Sequence, residues 1–131
     1  MRVCDASVVV AVLCRTGSAA LDESFESAIG GGLHAPHLLD LEVASALRRR
    51  VAHKAVGLEI ATAGLRSLAE LPIHRYAHTG LLNRAWALRE NISIYDAVYV
   101  ALAEAIDAPL LTTDARLARA AADLIEVELH R

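Results

Sequence analysis

The sequence predicts a three-layer α/β/α domain with a central, mostly parallel sheet of about five strands. Short apolar segments alternate along the chain with longer segments of helical periodicity. This is the pattern of parallel strands joined by crossover helices that cover both faces of a sheet. The 131 residues are enough for one domain with a sizeable core, and no repeat or linker divides them. We therefore expect residues 1–131 to form a single domain.

The strands are expected where short apolar runs lie between turn or helix signals. The first run is interrupted by Asp5, the second follows three consecutive glycines, and the third and fourth begin at a proline. The expected strands are residues 2–5, 33–35, 72–74, 109–113 and 125–129.

Seven helices are expected between these strands. Ser18 and Ser93 are typical N-cap residues, and the glycines at 30–32 end the second helix. The first helix is expected despite its valines, which lower helix propensity. The expected helices are residues 6–14, 18–29, 38–53, 57–70, 78–89, 93–106 and 115–122.

Composition excludes several classes of protein. The net charge is −3, so binding to a nucleic acid would need a local basic patch. No apolar run approaches the roughly 20 residues of a membrane span, which predicts no membrane association. Cys4 and Cys14 lie among apolar residues, and buried reduced thiols are typical of a cytoplasmic protein.

Four acidic residues stand in separate apolar segments: Asp5, Glu42, Asp96 and Asp114. Asp5 and Asp114 come at the ends of expected strands, and Asp96 lies in the first turn of a helix. The carboxyl ends of parallel strands meet at one edge of a sheet, where ligands bind. The spacing therefore predicts one cluster of carboxylates.

Each acid also has a simpler explanation. Asp5, Asp96 and Asp114 could cap helices, and Glu42 could lie on the solvent side of its helix. A buried carboxylate is costly unless it is paired, however, and the apolar runs around Glu42 and Asp96 contain no Lys or Arg. A hard cation such as Mg²⁺ or Mn²⁺ would resolve this conflict.

Four short motifs resemble those of the PIN domain family, and most closely its VapC toxins. The resemblance covers the whole chain and rests on Asp5-Ala6-Ser7, Glu42 in a helix after Pro36, Tyr95-Asp96-Ala97-x-Tyr99-Val100-Ala101-Leu102-Ala103 and Leu111-Thr112-Thr113-Asp114-x-x-Leu117. It implies that Asp5, Glu42, Asp96 and Asp114 are catalytic and hold Mg²⁺, with Mn²⁺ as a possible substitute. Ser7 and Thr112 match hydroxyl positions that support the acids, although ordinary capping explains them equally well.

The resemblance also implies a function. It predicts the endoribonuclease toxin of a type II toxin–antitoxin system, a homodimer that cleaves RNA and is inhibited by a VapB-like antitoxin. In such a centre a metal-activated water attacks phosphorus and leaves 5′-phosphate and 3′-hydroxyl ends. The six histidines are not required, and we expect them at the surface or in loops.

Arg48, Arg49 and Arg50, with His53 and Lys54, form the only basic cluster in the sequence. The cluster fits a solvated helix face, and it also fits a contact with an RNA backbone. Arg49 lies two helical turns from Glu42, on the same side.

Two further apolar features have open interpretations. Leu58, Ile60, Ala61 and Leu65 recur along the helix expected at 57–70 and fit core packing. By the family resemblance they fit a dimer interface or an antitoxin groove equally well. Trp86 is expected in the core or at a dimer interface, and the tyrosines are expected to be too buried to stack on bases.

Two other function classes compete with a nuclease. A non-catalytic binding module could use the acids only structurally. A phosphotransfer protein is disfavoured, because the chain lacks the paired acid and late Lys of a receiver domain and carries Ser7 where a haloacid-type phosphatase needs Asp.

Overall fold

The computed structural model describes all residues from Met1 to Arg131 and contains one five-stranded sheet. All neighbouring strands are parallel, in the order β3-β2-β1-β4-β5. The predicted α/β fold with about five strands is therefore confirmed, and the sheet is parallel throughout. The strands are β1 (Arg2–Cys4), β2 (Leu33–Pro36), β3 (Ile73–Tyr76), β4 (Leu110–Thr112) and β5 (Val127–Leu129).

Seven α-helices connect and cover the strands. Ser18 and Ser93 cap two of them as predicted, since each hydroxyl oxygen accepts a hydrogen bond from a backbone N–H three residues later. The helices are α1 (Ala6–Leu13), α2 (Ala19–Gly31), α3 (Leu38–Ala52), α4 (Leu58–Glu70), α5 (Leu82–Ala87), α6 (Ile94–Ile106) and α7 (Ala115–Ala121).

Helices on both sides of the sheet bury the central strands. The helix α6 lies against β1, β2 and β4, and α5 packs on α6. On the other side α1 packs against α2, α3 and α4. Every residue of β2 and β4 is buried, which explains why these strands are mostly apolar and do not alternate with exposed polar residues.

The strand order places a crevice beside β1. The chain adds β2 and β3 on one side of β1, then adds β4 and β5 on the other side. In parallel sheets the carboxyl ends of the strands at such a reversal form the usual ligand-binding crevice. Asp5 directly follows β1, and Asp114 follows β4 after one intervening residue. Both residues therefore lie at the reversal.

Two predicted elements differ from the structure. The helix expected at 78–89 is a 3₁₀ turn, His78–Leu81, followed by the shorter α5. The last strand begins at Val127 rather than at residue 125, because its partner β4 offers only three residues for pairing. No helix is both long enough and apolar enough to span a bilayer.

The environments predicted for His34 and Tyr95 were wrong, and one of the two alternatives for Trp86 is excluded. His34 is buried in β2, where its ring stacks on His74 and its Nδ1 lies 2.7 Å from the Tyr76 hydroxyl. Trp86 was expected in the core or at a dimer interface; 62% of its surface is exposed, so it is not in the core, and the dimer interface stays a prediction. Tyr95 is exposed as well.

Candidate active site

The four acids predicted to form a cluster line one cavity. This cavity has a volume of about 630 Å³ and opens at the carboxyl ends of β1 and β4. Asp5 comes from the end of β1, Glu42 from α3, Asp96 from α6 and Asp114 from the start of α7. Four separate elements therefore bring their carboxylates to one place.

Asp5 is the most buried of the four and is held by several donors. Its Oδ1 accepts hydrogen bonds from the Ser7 hydroxyl at 2.5 Å and from the Val8 backbone N–H at 3.3 Å. Its Oδ2 accepts from the Thr112 hydroxyl at 2.5 Å. Ser7 and Thr112 thus contact the acid as the resemblance implied, and Asp5 also caps α1.

Burial makes the charge of Asp5 unfavourable. Desolvation raises the pKa of this carboxyl from 3.8 to about 6, against the lowering effect of the hydrogen bonds from Ser7, Thr112 and Val8. Asp114 adds a smaller repulsion in the same direction. No Lys or Arg forms an ion pair with Asp5, so nothing in the chain neutralises it.

Glu42 is positioned by a buried tyrosine. The Tyr99 hydroxyl donates a hydrogen bond to Glu42 Oε1 at 2.6 Å across the gap between α6 and α3. Burial raises the pKa of Glu42, and the Tyr99 bond partly offsets the rise. Burial, with the neighbouring Glu42 charge, also raises the pKa of Tyr99, which therefore stays protonated and remains a donor.

Asp96 and Asp114 share a guanidinium. Arg116 Nη2 lies 3.0 Å from Asp96 Oδ2 and 3.5 Å from Asp114 Oδ2. The other oxygen of Asp114 caps α7 by accepting from the backbone N–H groups of Arg116 and Leu117. Asp114 therefore caps α7 through Oδ1, whereas its Oδ2 lies beside Arg116 at the cavity.

Other acids of the chain show what ordinary pairing looks like. Asp40, two residues before Glu42, accepts a two-pronged set of hydrogen bonds from Arg75. Glu104 and Glu128 are paired in the same way with Arg84 and Arg2. Asp5 accepts from hydroxyl and backbone donors and Glu42 from a hydroxyl, and neither carboxylate has an ion pair.

The donor set fits a hard divalent cation in its chemistry. Four carboxylates around one water-accessible cavity, without a thiol or imidazole among them, are the ligands that Mg²⁺ and Mn²⁺ prefer. In this arrangement no three acidic, His or Cys side chains converge closely enough to hold a metal. Arg116 and Tyr99 hold three of the four carboxylates in their present positions.

Basic side chains line one side of the same cavity. Arg49, Arg50 and His53, here called the basic edge, all face it from the C-terminal half of α3 and the residue that follows. Arg48 faces a separate groove between α3 and α4. The arginine run is therefore divided between two surfaces, as helical periodicity requires.

Sequence reasoning did not identify the roles of Tyr99 and Arg116. Tyr99 belongs to the motif at residues 95–103, yet its hydroxyl contacts a residue 57 positions away. Arg116 lies 20 positions from Asp96, outside the apolar run that surrounds Asp96 in the sequence. The available signal for Arg116 was its position two residues after Asp114, in the first turn of a helix that Asp114 was expected to cap.

Comparison with known proteins shows the family. The model for the PIN domain matches residues 2–123. The chain is 44% identical over 136 aligned positions to Ribonuclease VapC1 of Mycobacterium tuberculosis, covering 98% of this chain and 97% of that relative.

Two solved structures have the same fold at low identity. VapBC2 from Rickettsia felis, in a crystal structure with a DNA fragment from their promoter, matches with a TM-score of 0.72 and 12% identity, covering 99% of this chain and 98% of that chain. VapC20 of Mycobacterium tuberculosis, described as a sarcin-ricin loop cleaving toxin, matches with a TM-score of 0.71 and 18% identity, covering 98% and 99%. The chain therefore belongs to the PIN domain family.

Proposed function

We propose that this protein is a Mg²⁺-dependent endoribonuclease and the toxin of a type II toxin–antitoxin pair. The observation that carries the proposal is the meeting of Asp5, Glu42, Asp96 and Asp114 at one cavity. The 44% identity to a ribonuclease over nearly the full length of both chains supports the same activity.

Asp5, Glu42, Asp96 and Asp114 are the residues that would hold Mg²⁺ or Mn²⁺. Bound there, the cation would lower the pKa of a coordinated water and polarise the scissile phosphate. The chain itself contributes the positions of the oxygens. Ser7 and Thr112 orient Asp5, and Tyr99 orients Glu42.

Attack by water does not use the ribose 2′-hydroxyl. The products are therefore expected to carry 5′-phosphate and 3′-hydroxyl ends. The side chains that line the cavity agree with attack by water. Only one of them is an imidazole, His53 at the basic edge, so a pair of histidines that could act as base and acid is not present there. A mechanism through a cyclic phosphate needs a base and an acid beside the 2′-hydroxyl.

The basic edge is the part of the site that suits the RNA backbone. Arg49 donates to the Ser45 hydroxyl and Arg50 to the Thr16 hydroxyl, and neither is in an ion pair. Their charges are therefore available to phosphates that cross the cavity. With a net charge of −3, the protein needs such a local patch to bind RNA.

Cleavage of RNA by the purified protein tests the proposal. The wild type should cleave with Mg²⁺, stop on addition of EDTA and resume when Mg²⁺ is restored. Asp96→Asn should lower the rate by about 100-fold or more, because it removes an oxygen that would ligate the cation. Asp123→Asn, at an exposed site outside the cavity, is the matched control and should leave the rate unchanged. Cleavage that persists both in EDTA and in the Asp96→Asn variant contradicts the proposal.

The partners in this proposal are a VapB-like antitoxin and a second copy of the chain. A VapBC protein among the structures of the same fold supports the first. Exposed apolar side chains support both the antitoxin and the second copy as partners. The groove between α3 and α4 has a volume of about 280 Å³ and suits an apolar segment of a partner. Leu58 and Leu65 line this groove, and both are exposed in the single chain.

Co-purification tests the antitoxin. When the chain is expressed with the product of an adjacent antitoxin gene, the two should elute together. Leu65→Asp should abolish the complex while leaving RNA cleavage intact, because Leu65 lies outside the catalytic cavity. A complex that forms equally well with Leu65→Asp contradicts the assignment of the groove.

A further inference from the structure

Arg116 contacts two of the four carboxylates directly. Its Nη2 donates a hydrogen bond to Asp96 Oδ2 at 3.0 Å and lies 3.5 Å from Asp114 Oδ2. Asp96 belongs to α6, whereas Asp114 and Arg116 belong to the start of α7. The guanidinium therefore ties together two elements that must both contribute ligands in the proposed metal centre.

Both contacts fall on oxygens that the local structure leaves available. Asp114 Oδ1 accepts two backbone hydrogen bonds at the start of α7, so Oδ2 is the oxygen free to ligate. The Asp96 carboxylate does not cap its helix: the capping bond runs from the Asp96 backbone N–H to the Ser93 hydroxyl. The only hydrogen bond that the Asp96 carboxylate accepts is therefore the one from Arg116. Arg116 thus lies at the oxygens that a cation would use.

A divalent cation and a guanidinium cannot share these oxygens without cost. Both are positive, so each weakens the binding of the other at contact distance. The side chain of Arg116 is 65% exposed, and its position can change without disturbing the core.

We propose that Arg116 is a resident counter-ion of the metal centre. It holds Asp96 and Asp114 together in the metal-free protein, and the divalent cation displaces it on binding. Arg116 is in this sense a positioning residue that sets the metal affinity below the value the four carboxylates would otherwise give. The inference rests on the metal centre of the proposed function.

Calorimetric titration with Mn²⁺ tests the inference without reference to activity. Arg116→Gln should bind Mn²⁺ about three- to tenfold more tightly than the wild type, since an exposed ion pair is worth up to about a factor of five and two such contacts are removed. Arg119→Gln is the matched control. It removes the same charge one turn further along α7, at an exposed residue with no ion pair, and should change the affinity less than twofold.

Thermal unfolding provides a second readout. Without metal, Arg116→Gln should melt below the wild type, because Asp96 and Asp114 lose their shared partner. Saturating Mn²⁺ should then raise the melting temperature of Arg116→Gln by more than it raises that of the wild type, as tighter binding to the folded state requires.

Three outcomes overturn the inference, and they are distinguishable. Equal or weaker Mn²⁺ binding by Arg116→Gln, beside measurable binding by the wild type, overturns the role of Arg116 alone. An equal gain in affinity with Arg119→Gln assigns the effect to net charge and removes the need for contact. The absence of Mn²⁺ binding by every variant overturns the proposed metal centre and this inference with it.

Discussion

The Asp5 carboxylate accepts hydrogen bonds from Ser7, Thr112 and the first turn of α1, yet no cation pairs with it. In the metal-free protein its charge is therefore held at a cost to stability. The hydroxyl groups orient the oxygens without neutralising them, as the proposed metal centre requires. At the residue scale, two predictions follow from this arrangement and from the contact between Tyr99 and Glu42.

The first concerns the stability of the metal-free protein as a function of pH. The pKa of Asp5 is about 6 in the folded protein and 3.8 as its ordinary value. Between these values the folded state binds more protons than the unfolded state, so the contribution of Asp5 is most favourable at acid pH and falls as pH rises toward 6. Asp5→Asn should remove this penalty and raise the free energy of unfolding at pH 7 by at most about 3 kcal/mol, since the amide also loses one of the two oxygens that accept hydrogen bonds.

Urea unfolding in EDTA at several pH values measures this effect. The difference between the wild type and Asp5→Asn should be largest at pH 7 and should close toward pH 4. Asp123→Asn, at an exposed residue without an ion pair, is the control for the change in net charge. An Asp5→Asn protein that is less stable than the wild type at pH 7 contradicts the account of Asp5.

The second prediction concerns Tyr99. Tyr99→Phe removes the hydroxyl that donates to Glu42 and should raise the pKa of Glu42 further, since that bond favours the charged form. Affinity for Mn²⁺ should fall by about 10- to 100-fold, the usual effect of losing a residue that orients a ligand. The matched control is Tyr95→Phe, which removes an exposed hydroxyl from the same helix. Equal affinities for Tyr99→Phe and Tyr95→Phe would show that Tyr99 does not position the ligand.

At the scale of elements, the helix α3 presents different surfaces on its different faces. Glu42, Arg49 and Arg50 face the cavity of the site, whereas Arg48 faces the groove toward α4. One helix can in this way contribute to catalysis, to the binding of RNA and to the binding of a partner.

This division predicts unequal effects of arginine substitutions on RNA binding. RNA binding is measured in EDTA, which suppresses cleavage. The double variant Arg49→Gln and Arg50→Gln should bind RNA more weakly than the wild type. The magnitude of its slope of log affinity against log salt should be lower by about 1.4, because each lost phosphate contact on single-stranded RNA accounts for about 0.7. Arg48→Gln should leave the slope unchanged. Filter binding at several salt concentrations makes the comparison, and equal slopes for the wild type and the double variant contradict the role of the basic edge.

Most elements were predictable from local patterns, and the exceptions have physical reasons. Caps at Ser18 and Ser93 and the apolar strands marked their elements within a few residues. The start of β5 was not predictable, because a strand ends where its partner ends and β4 is short. The 3₁₀ turn at His78–Leu81 was missed, since propensity alone does not separate it from an α-helical turn.

At the scale of the whole molecule, the parallel order of the sheet brings the site together. Asp5 and Asp114 follow neighbouring strands, and α3 and α6 add Glu42 and Asp96 from the same end. Local sequence could indicate these acids, because each stands in an apolar setting. For Arg116 it offered only the position two residues after Asp114. It could not indicate that Arg116 reaches Asp96 or that Tyr99 reaches Glu42, since those contacts depend on how distant helices pack. The burial of His34 likewise follows from the interior position of β2, between β3 and β1.

The chemistry of the cleaved RNA ends tests the central claim most directly. A short RNA is incubated with the purified wild type and Mg²⁺, beside Asp96→Asn prepared in the same way, and the termini of the products are identified by mass spectrometry. We predict 5′-phosphate and 3′-hydroxyl ends from the wild type, with no products from the wild type in EDTA or from Asp96→Asn. Products that end in a 2′,3′-cyclic phosphate, or equal amounts of product from Asp96→Asn, would contradict a metal-dependent nuclease centre built on these four carboxylates.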